Sequence, residues 1–310
     1  LFRSICQVYR KYQLEIKAGV YHFPENQVVD PALAVDYAKI ACQHIRDEVG
    51  VSVLEYTQDL QKLITVNNYI AGHCDDAIEH GWIQVYYQPV IRTLTGAVCG
   101  MEALARWTHA ELGEVSPARF IPLAEECGLI ADLGRWALGE ACRQLAQWRT
   151  QGLAVPAVSV NLSPSSFHNL DLPRMIADTL DRNALAPQDL TLELTESILL
   201  DTNPSTMKTI DEVHAHGVRL SMDDFGTGYS SLSYLRRLPI QELKLDRSFV
   251  LDLEQDTTNQ ALSEAVIRLG ESLHLTVVAE GVENHGQQRI LKQQRYHVGQ
   301  GYLFSRPLSA

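Results

Sequence analysis

The stretch "SMDDFGTGYSS" at 221–231 sets two carboxylates, Asp223 and Asp224, side by side and follows them with Gly226 and Gly228. Adjacent acids repel, and burying both is unfavourable unless a cation lies between them. Taken alone, such a pair also reads as an acidic surface turn, so the rest of the chain has to decide. Acids and amides recur at the ends of short apolar stretches: Glu102, Asn161, Glu193, Asp223 with Asp224, Lys244 with Asp246, Glu280 and Gln300. Carboxylate and carboxamide oxygens suit hard cations such as Mg²⁺ or Mn²⁺. No paired-histidine motif falls at these ends; His214 and His216 lie in a helical stretch and read as partly exposed. An Asp-Asp pair lets one carboxylate bridge two ions while its neighbour binds one. Two ions roughly 3.5–4 Å apart activate a water and stabilise both oxygens of an in-line displacement at phosphorus. Lys244 would orient that water or offset charge on the phosphoryl group; its plain alternative is a salt bridge to Asp246. Arg106 is either a bidentate phosphate holder or a solvated surface arginine.

The elements carrying these residues follow from periodicity. Residues 15–23 and 51–57 read as strands around a helix over 30–50, capped by Asp30 with Pro31 at its first position. A helix over 58–80, with a break expected near Gly72, leads onward. From residue 81, "IQVYYQPVI" and "AVCGMEALARW" flank the turn "RTLTG", the pattern of an antiparallel hairpin. Strands are then expected at 157–163, 190–196, 218–225, 241–246, 276–282 and 297–304, with helices such as 132–152 between them. Eight strands alternating with helices predict an α/β fold, a modified TIM (β/α)₈ barrel with an antiparallel first strand, plus a small N-terminal βαβ-like piece. An open doubly wound sheet usually carries a glycine-rich phosphate loop after its first strand, and this chain has none there. In a barrel the carboxyl ends of the strands meet at one rim, which would gather the acids into a ring.

Composition bounds the partners. The 310 residues carry 45% hydrophobic and 21% charged side chains and a formal net charge of -12. That charge argues against a nucleic-acid polymer or an anionic membrane surface as partner, while a local site can still hold a small phosphate ligand. The six cysteines show no CxxC pairing, which suits reduced thiols and a cytoplasmic setting. No run reaches the roughly 18 apolar residues of a membrane span. The chain starts without Met and is expected to be a piece of a longer protein, whose upstream part has room for an anchor or sensor.

The ordered motifs "QPV" (88–90), "EALARW" (102–107), "NLS" (161–163), "ELTES" (193–197), "DDFGTGYSSLSYL" (223–235), "LKLDRSFV" (243–250), "AEGVEN" (279–284) and "QGYLFSRPL" (300–308) strongly resemble the EAL-domain family of cyclic di-GMP phosphodiesterases. The resemblance covers roughly 80–308 and implies a modified TIM barrel acting as a homodimer. It implies two divalent cations, Mg²⁺ or Mn²⁺: one held by Glu102, Asn161, Glu193 and Asp223, the other by Asp223 and Asp224 with Glu280. It also implies that Lys244 contacts the attacking water and that Glu280 assists its deprotonation. Gln88, Arg106 and Gln300 match positions that face the ligand. Glu196 matches the anchor of the "FGTGYSS" loop, with Glu283 in a supporting part. The loop would lie beside the second cation and near the dimer interface. Residues 1–57 resemble the C-terminal end of a GGDEF-like (diguanylate cyclase-like) domain, 58–80 a linker helix and 81–310 the EAL barrel. Gln241 departs from the family, which often has Asp there.

The resemblance therefore implies hydrolysis of cyclic di-GMP to linear pGpG. A catalytically silent receptor of the same nucleotide is the competing reading, and a barrel hydrolase of another phosphodiester is a third. The complete set of metal-ligand matches favours the first over the second, and Gln88 with Arg106 weighs against the third.

Overall fold

The structure, a computed structural model, describes residues 16–23, 30–46, 50–201, 203–227 and 235–310. The chain divides into two compact units, 1–73 and 74–310. In the first, β1 (Ala18–Val20) and β2 (Val53–Glu55) pair in parallel, Gly19 opposite Leu54, with α1 (Pro31–His44) between them in sequence. Asp30 caps α1 by accepting from the Ala32 N–H, and Pro31 opens it, as its pattern predicts. The small core is aromatic: the Tyr37 and Tyr56 rings stack 4.3 Å apart beside Tyr21. α2 (Gln58–Gly72) starts at the Thr57 cap and adds Leu60 and Ile64 to that core. The helix expected over 58–80 is two: His73 ends α2, and α3 (Cys74–Glu79) belongs to the second unit. Residues 1–15, 24–29 and 47–49, which include the start of the first expected strand and the end of the first expected helix, lie outside the described residues.

The second unit is a closed barrel. Its strands are β3 (Ile83–Arg92), β4 (Val98–His109), β6 (Val158–Leu162), β7 (Leu190–Thr195), β8 (Arg219–Phe225), β9 (Glu242–Leu245), β10 (Thr276–Ala279) and β11 (Val298–Gly299). A short β5 (Gly113–Val115) extends β4, and β12 (Leu308–Ser309) pairs with β3 outside the ring. Neighbours from β4 round to β11 are parallel, whereas β3 is antiparallel to both β4 and β11 and closes the circle. The reason is length: the connection 93–97 is a tight turn, and a parallel partner would need a crossover of a dozen or more residues. This is the barrel with an antiparallel first strand that the pattern predicts. The last strand is shorter than the expected 297–304, because residues 301–304 turn away after Gln300.

Alternation along the strands sorts the two faces of the wall. On β7, Leu190, Leu192 and Leu194 are fully buried against the surrounding helices, with Leu138, Leu145, Ile176 and Ile210 among their partners. The residues between them, Thr191 and Glu193, face the interior. The same alternation places Ser159 and Asn161, Ser221 and Asp223, and Glu242 and Lys244 inside. Hydrophobic burial therefore lies outside the wall and leaves the interior free for polar groups. A substitution that empties the outer layer should weaken the barrel without touching the ring: Leu192→Ala is expected to lower its stability by about 2–5 kcal/mol, read from the denaturant midpoint.

Candidate active site

One buried ammonium holds the rim together. Lys244 Nζ lies 2.7 Å from Glu280 Oε1, 2.9 Å from Glu193 Oε2, 3.2 Å from Asp223 Oδ1 and 3.5 Å from Glu102 Oε1. Its side chain is 2% exposed. It makes no bridge to Asp246, whose carboxylate instead caps the short helix Arg247–Leu251 through the Ser248 N–H. Glu102 accepts from Asn161 Nδ2 at 2.9 Å and from the Gln300 amide. Gln300 also donates to Gln88 Oε1 at 3.1 Å. Gln88 reaches this cluster because β3 runs antiparallel in the register Gln88 opposite Glu102.

The adjacent acids share the rim because the strand is irregular there. On β8 and β9, Met222 pairs with Leu243 and Phe225 with Leu245, so two residues, Asp223 and Asp224, face one, Lys244. In a regular strand neighbours point to opposite faces; a bulge lets both reach one side. Asp224 takes the left-handed backbone (φ 54), and its N–H donates to Asp223 Oδ1 at 2.9 Å. Gly226 follows with φ 103, and a Cβ there would come within 2.8 Å of the Phe249 ring. Its N–H donates to Glu196 Oε2 at 3.1 Å, which ties the start of the loop to the end of β7. Residues 228–234 of that loop lie outside the described residues.

Carboxylate oxygens of Glu102, Glu193 and Asp223 lie within 4.8 Å of one another, as do those of Asp223, Asp224 and Glu280. The two groups share Asp223 and contain only hard oxygen donors, with Asn161 adding its amide beside Glu102, so the residues fit divalent cations of the Mg²⁺ and Mn²⁺ type. Above them opens a cavity of about 230 Å³ lined by Gln88, Glu280, Gln300, Arg247, Glu283 and Tyr302. Arg106, half-buried and donating to the Ala105 carbonyl, lines a neighbouring hollow of about 340 Å³ with Asn161 and Asp224.

Residues 72–307 match the EAL domain. The chain belongs to the EAL-domain family. It is 42% identical over 270 residues to the oxygen sensor protein DosP of Escherichia coli, covering 87% of this chain and 34% of that protein. It is 35% identical over 314 residues to the bifunctional diguanylate cyclase/cyclic di-GMP phosphodiesterase MucR of Pseudomonas aeruginosa, covering 100% of this chain and 46% of that protein. The chain thus spans less than half the length of these relatives. Among solved structures, the PaMucR phosphodiesterase in complex with c-di-GMP superposes with a TM-score of 0.74 at 40% identity, over 78% of this chain and 98% of that one. No described helix is long and apolar enough to cross a membrane.

Within the EAL barrel the acids are electrostatically frustrated. Burial pushes Glu280 up to about 8, with Asp223 and Glu102 adding to it against Lys244. Burial and the neighbouring Asp223 raise Asp224 to about 6. Glu193 is raised well above the carboxylate range by burial and by Glu102. For Glu102, burial opposes ionisation, but Lys244 and the amides of Gln300 and Asn161 outweigh it and hold the group low. Lys244 loses hydration on burial, yet the surrounding acids raise it well above its ordinary value. One ammonium cannot balance four carboxylates, so the set retains protons at neutral pH.

Sequence reasoning passed over three features of this EAL site. Arg247, beside the helix-capping Asp246, lines the cavity and pairs with Glu283 at 2.6 Å. Tyr302, two residues past Gln300, forms part of the same wall under the Arg306 guanidinium. Glu242 lies inside the barrel two residues before Lys244, where strand alternation was enough to place it. Gln241 has a structural part: its Oε1 accepts from the Leu220 N–H at 2.8 Å.

Two outcomes follow for the cation-free EAL domain. Lys244→Met leaves the acids uncompensated and is expected to destabilise the barrel by about 3–5 kcal/mol in denaturant titrations. Cation binding must expel protons from groups raised above their ordinary values, so affinity rises with pH through the window from about 6 (Asp224) to about 8 (Glu280). Calorimetric titration with Mg²⁺ should give binding at least about tenfold weaker at pH 6 than at pH 8.5.

Proposed function

We propose that this EAL domain hydrolyses cyclic di-GMP to linear pGpG with two divalent cations, and that Asp223 would belong to both ligand sets. The observation that carries the reading is the pair of acidic groups sharing Asp223 at the floor of a cavity lined by amides and an arginine. The 40% identity to the PaMucR phosphodiesterase solved with c-di-GMP supports the substrate. In this reading Glu102, Asn161, Glu193 and Asp223 would hold one ion; Asp223, Asp224 and Glu280 would hold the other. When bound, the ions supply Lewis-acid activation of a water and stabilise charge on the phosphoryl oxygens.

The chain's own groups do the rest. Gln88, Gln300 and Arg106 orient the nucleotide from the two hollows. Lys244 offers an N–H to the water and to charge developing at phosphorus. Glu280, ionised once cations have displaced its proton, would accept a proton from the attacking water. The water oxygen bonds to phosphorus, the P–O3′ bond breaks and the 3′ oxygen takes up a proton. Each atom is accounted for by one water added across one ester bond.

Residues 1–57 are read as the C-terminal end of a GGDEF-like domain. The parallel β1–α1–β2 unit and a match to the bifunctional MucR that covers 100% of this chain and 46% of that protein are consistent with this. Dimerisation through the barrel, with the Glu196-tied loop near the interface, belongs to the same reading, as does a cytoplasmic setting.

Chromatography of the purified chain with cyclic di-GMP and Mg²⁺ or Mn²⁺ tests it. The expected result is linear pGpG, abolished by excess chelator and lowered at least about a hundredfold in Glu102→Ala. Tight nucleotide binding without turnover would replace this reading with that of a silent receptor.

A further inference from the structure

Beneath the acidic ring the barrel interior continues as a second tier, which the hydrolytic reading leaves without a task. A cavity of about 50 Å³ lies there, lined by Lys244 and Glu193 from above and by Ser159, Thr191, Glu242 and Arg219 from the starts of their strands. Glu242 and Lys244 are two residues apart on β9 and share its inner face, which sets their backbones about 7 Å apart, within reach of two long side chains. The two groups feel one another: burial raises the Glu242 carboxyl above its ordinary range, and Lys244 leads the influences that oppose the rise. Ser221, opposite Glu242 in the register of β8 and β9, is fully buried, and its Oγ has no hydrogen-bond partner of good geometry among the described residues. The tier thus has unused polar capacity, and its cavity exceeds the roughly 15 Å³ that one water needs.

We propose that Glu242 is a positioning residue for Lys244: when cations occupy the ring, it takes over the ammonium that the ring acids hold in the cation-free chain. The inference rests on the two-cation reading above and adds the partner that Lys244 needs once the ions are bound. Every acid that Lys244 touches, namely Glu102, Glu193, Asp223 and Glu280, belongs to one of the two candidate ligand groups. Cations therefore compete with the lysine for the same oxygens, and they repel it. Two divalent ions and one ammonium balance the carboxylates of Glu102, Glu193, Asp223, Asp224 and Glu280, so a loaded ring has no spare acid to offer Lys244. Glu242 lies outside both groups, on the side of Lys244 that faces away from the open cavity above. Its carboxylate can accept an N–H directly or across one water in the lower cavity. The ammonium then keeps another N–H for the attacking water above it. Arg219, exposed at the lower mouth, offsets the Glu242 charge while the cations are absent.

Calorimetric titration of Mg²⁺ into the purified chain and into Glu242→Gln, with denaturant titrations of both in chelator, tests this without turnover. Glu242→Gln is expected to bind Mg²⁺ about tenfold more weakly than the wild type. Its cation-free stability should match that of the wild type, because there the ring acids hold the lysine. Loss of a charge would weaken binding by itself, so the same substitution is made in the Lys244→Met background, where the tenfold loss should vanish. A crystal structure of the wild-type chain with Mg²⁺ gives an answer even if Lys244→Met does not fold: Lys244 Nζ is expected to bond Glu242 directly or through one water. An Mg²⁺ affinity unchanged in Glu242→Gln overturns the proposal. So does a loss that persists in Lys244→Met, a cation-free stability that falls along with the affinity, or a loaded structure in which Lys244 makes no such bond. Each of those results leaves the hydrolytic reading standing, whereas a wild-type chain that binds no Mg²⁺ removes both.

Discussion

Everything at the rim depends on how one ammonium and four carboxylates share a space closed to water. Lys244 touches Glu102, Glu193, Asp223 and Glu280 within 3.5 Å, and among the described residues no second protein cation enters that ring. Attraction to the lysine keeps the acids together, while their mutual repulsion keeps protons on some of them. Neither term alone gives a stable arrangement. The barrel supplies the constraint, since Glu102, Glu193, Asp223 and Lys244 stand on its strands and Glu280 directly follows β10, with buried outward neighbours: Leu192 and Leu194 flank Glu193, and Leu243 and Leu245 flank Lys244. The acids cannot separate without pulling buried leucines out of the outer layer. The hydrophobic shell thus does mechanical duty for an electrostatic site.

The bulge at Asp223 and Asp224 is the local expression of the same constraint. Met222 and Phe225 are both buried outside the wall, which anchors the strand on either side of the irregularity. Between them the backbone has one residue too many, and Asp224 takes it up in a left-handed conformation. A small polar side chain tolerates that conformation better than a branched one. The arrangement stores backbone strain in order to bring two like charges to one side of the sheet. A cation placed between the two carboxylates would relieve their repulsion, which a regular strand with one inward aspartate would not require.

Much of this was legible in the sequence because strands advertise themselves by alternation. The rule that barrel chemistry gathers at strand ends picked out Glu102, Asn161, Glu193, Asp223, Lys244, Glu280 and Gln300, and the fold does gather them. The antiparallel first strand followed from the short "RTLTG" connection. What alternation cannot reveal is an interruption of itself: the bulge appears only in the pairing of β8 with β9. Nor does it fix where a short strand stops. β11 is two residues long, and periodicity had run it on through 304. The fourfold coordination of Lys244 was equally hidden, because it needs side chains from four strands at once, and the sequence offered Asp246 as the nearest acid. Arg247 and Tyr302 lay in motifs that had been noted without a task for either side chain.

The integrity of the acidic ring also bears on whether the barrel works as an enzyme or only as a receptor. A buried acid that binds nothing is a burden, and replacing it with an apolar or amide side chain of similar size often stabilises a fold. A receptor with no use for cations would therefore gain stability by losing any one of Glu193, Asp224 or Glu280. Here Glu193 and Glu280 are held inside with their ionisation strongly opposed, and Asp224 is kept in a strained backbone beside its like-charged neighbour. The proposed hydrolysis gives this like-charged, buried ring a use that nucleotide binding alone would not.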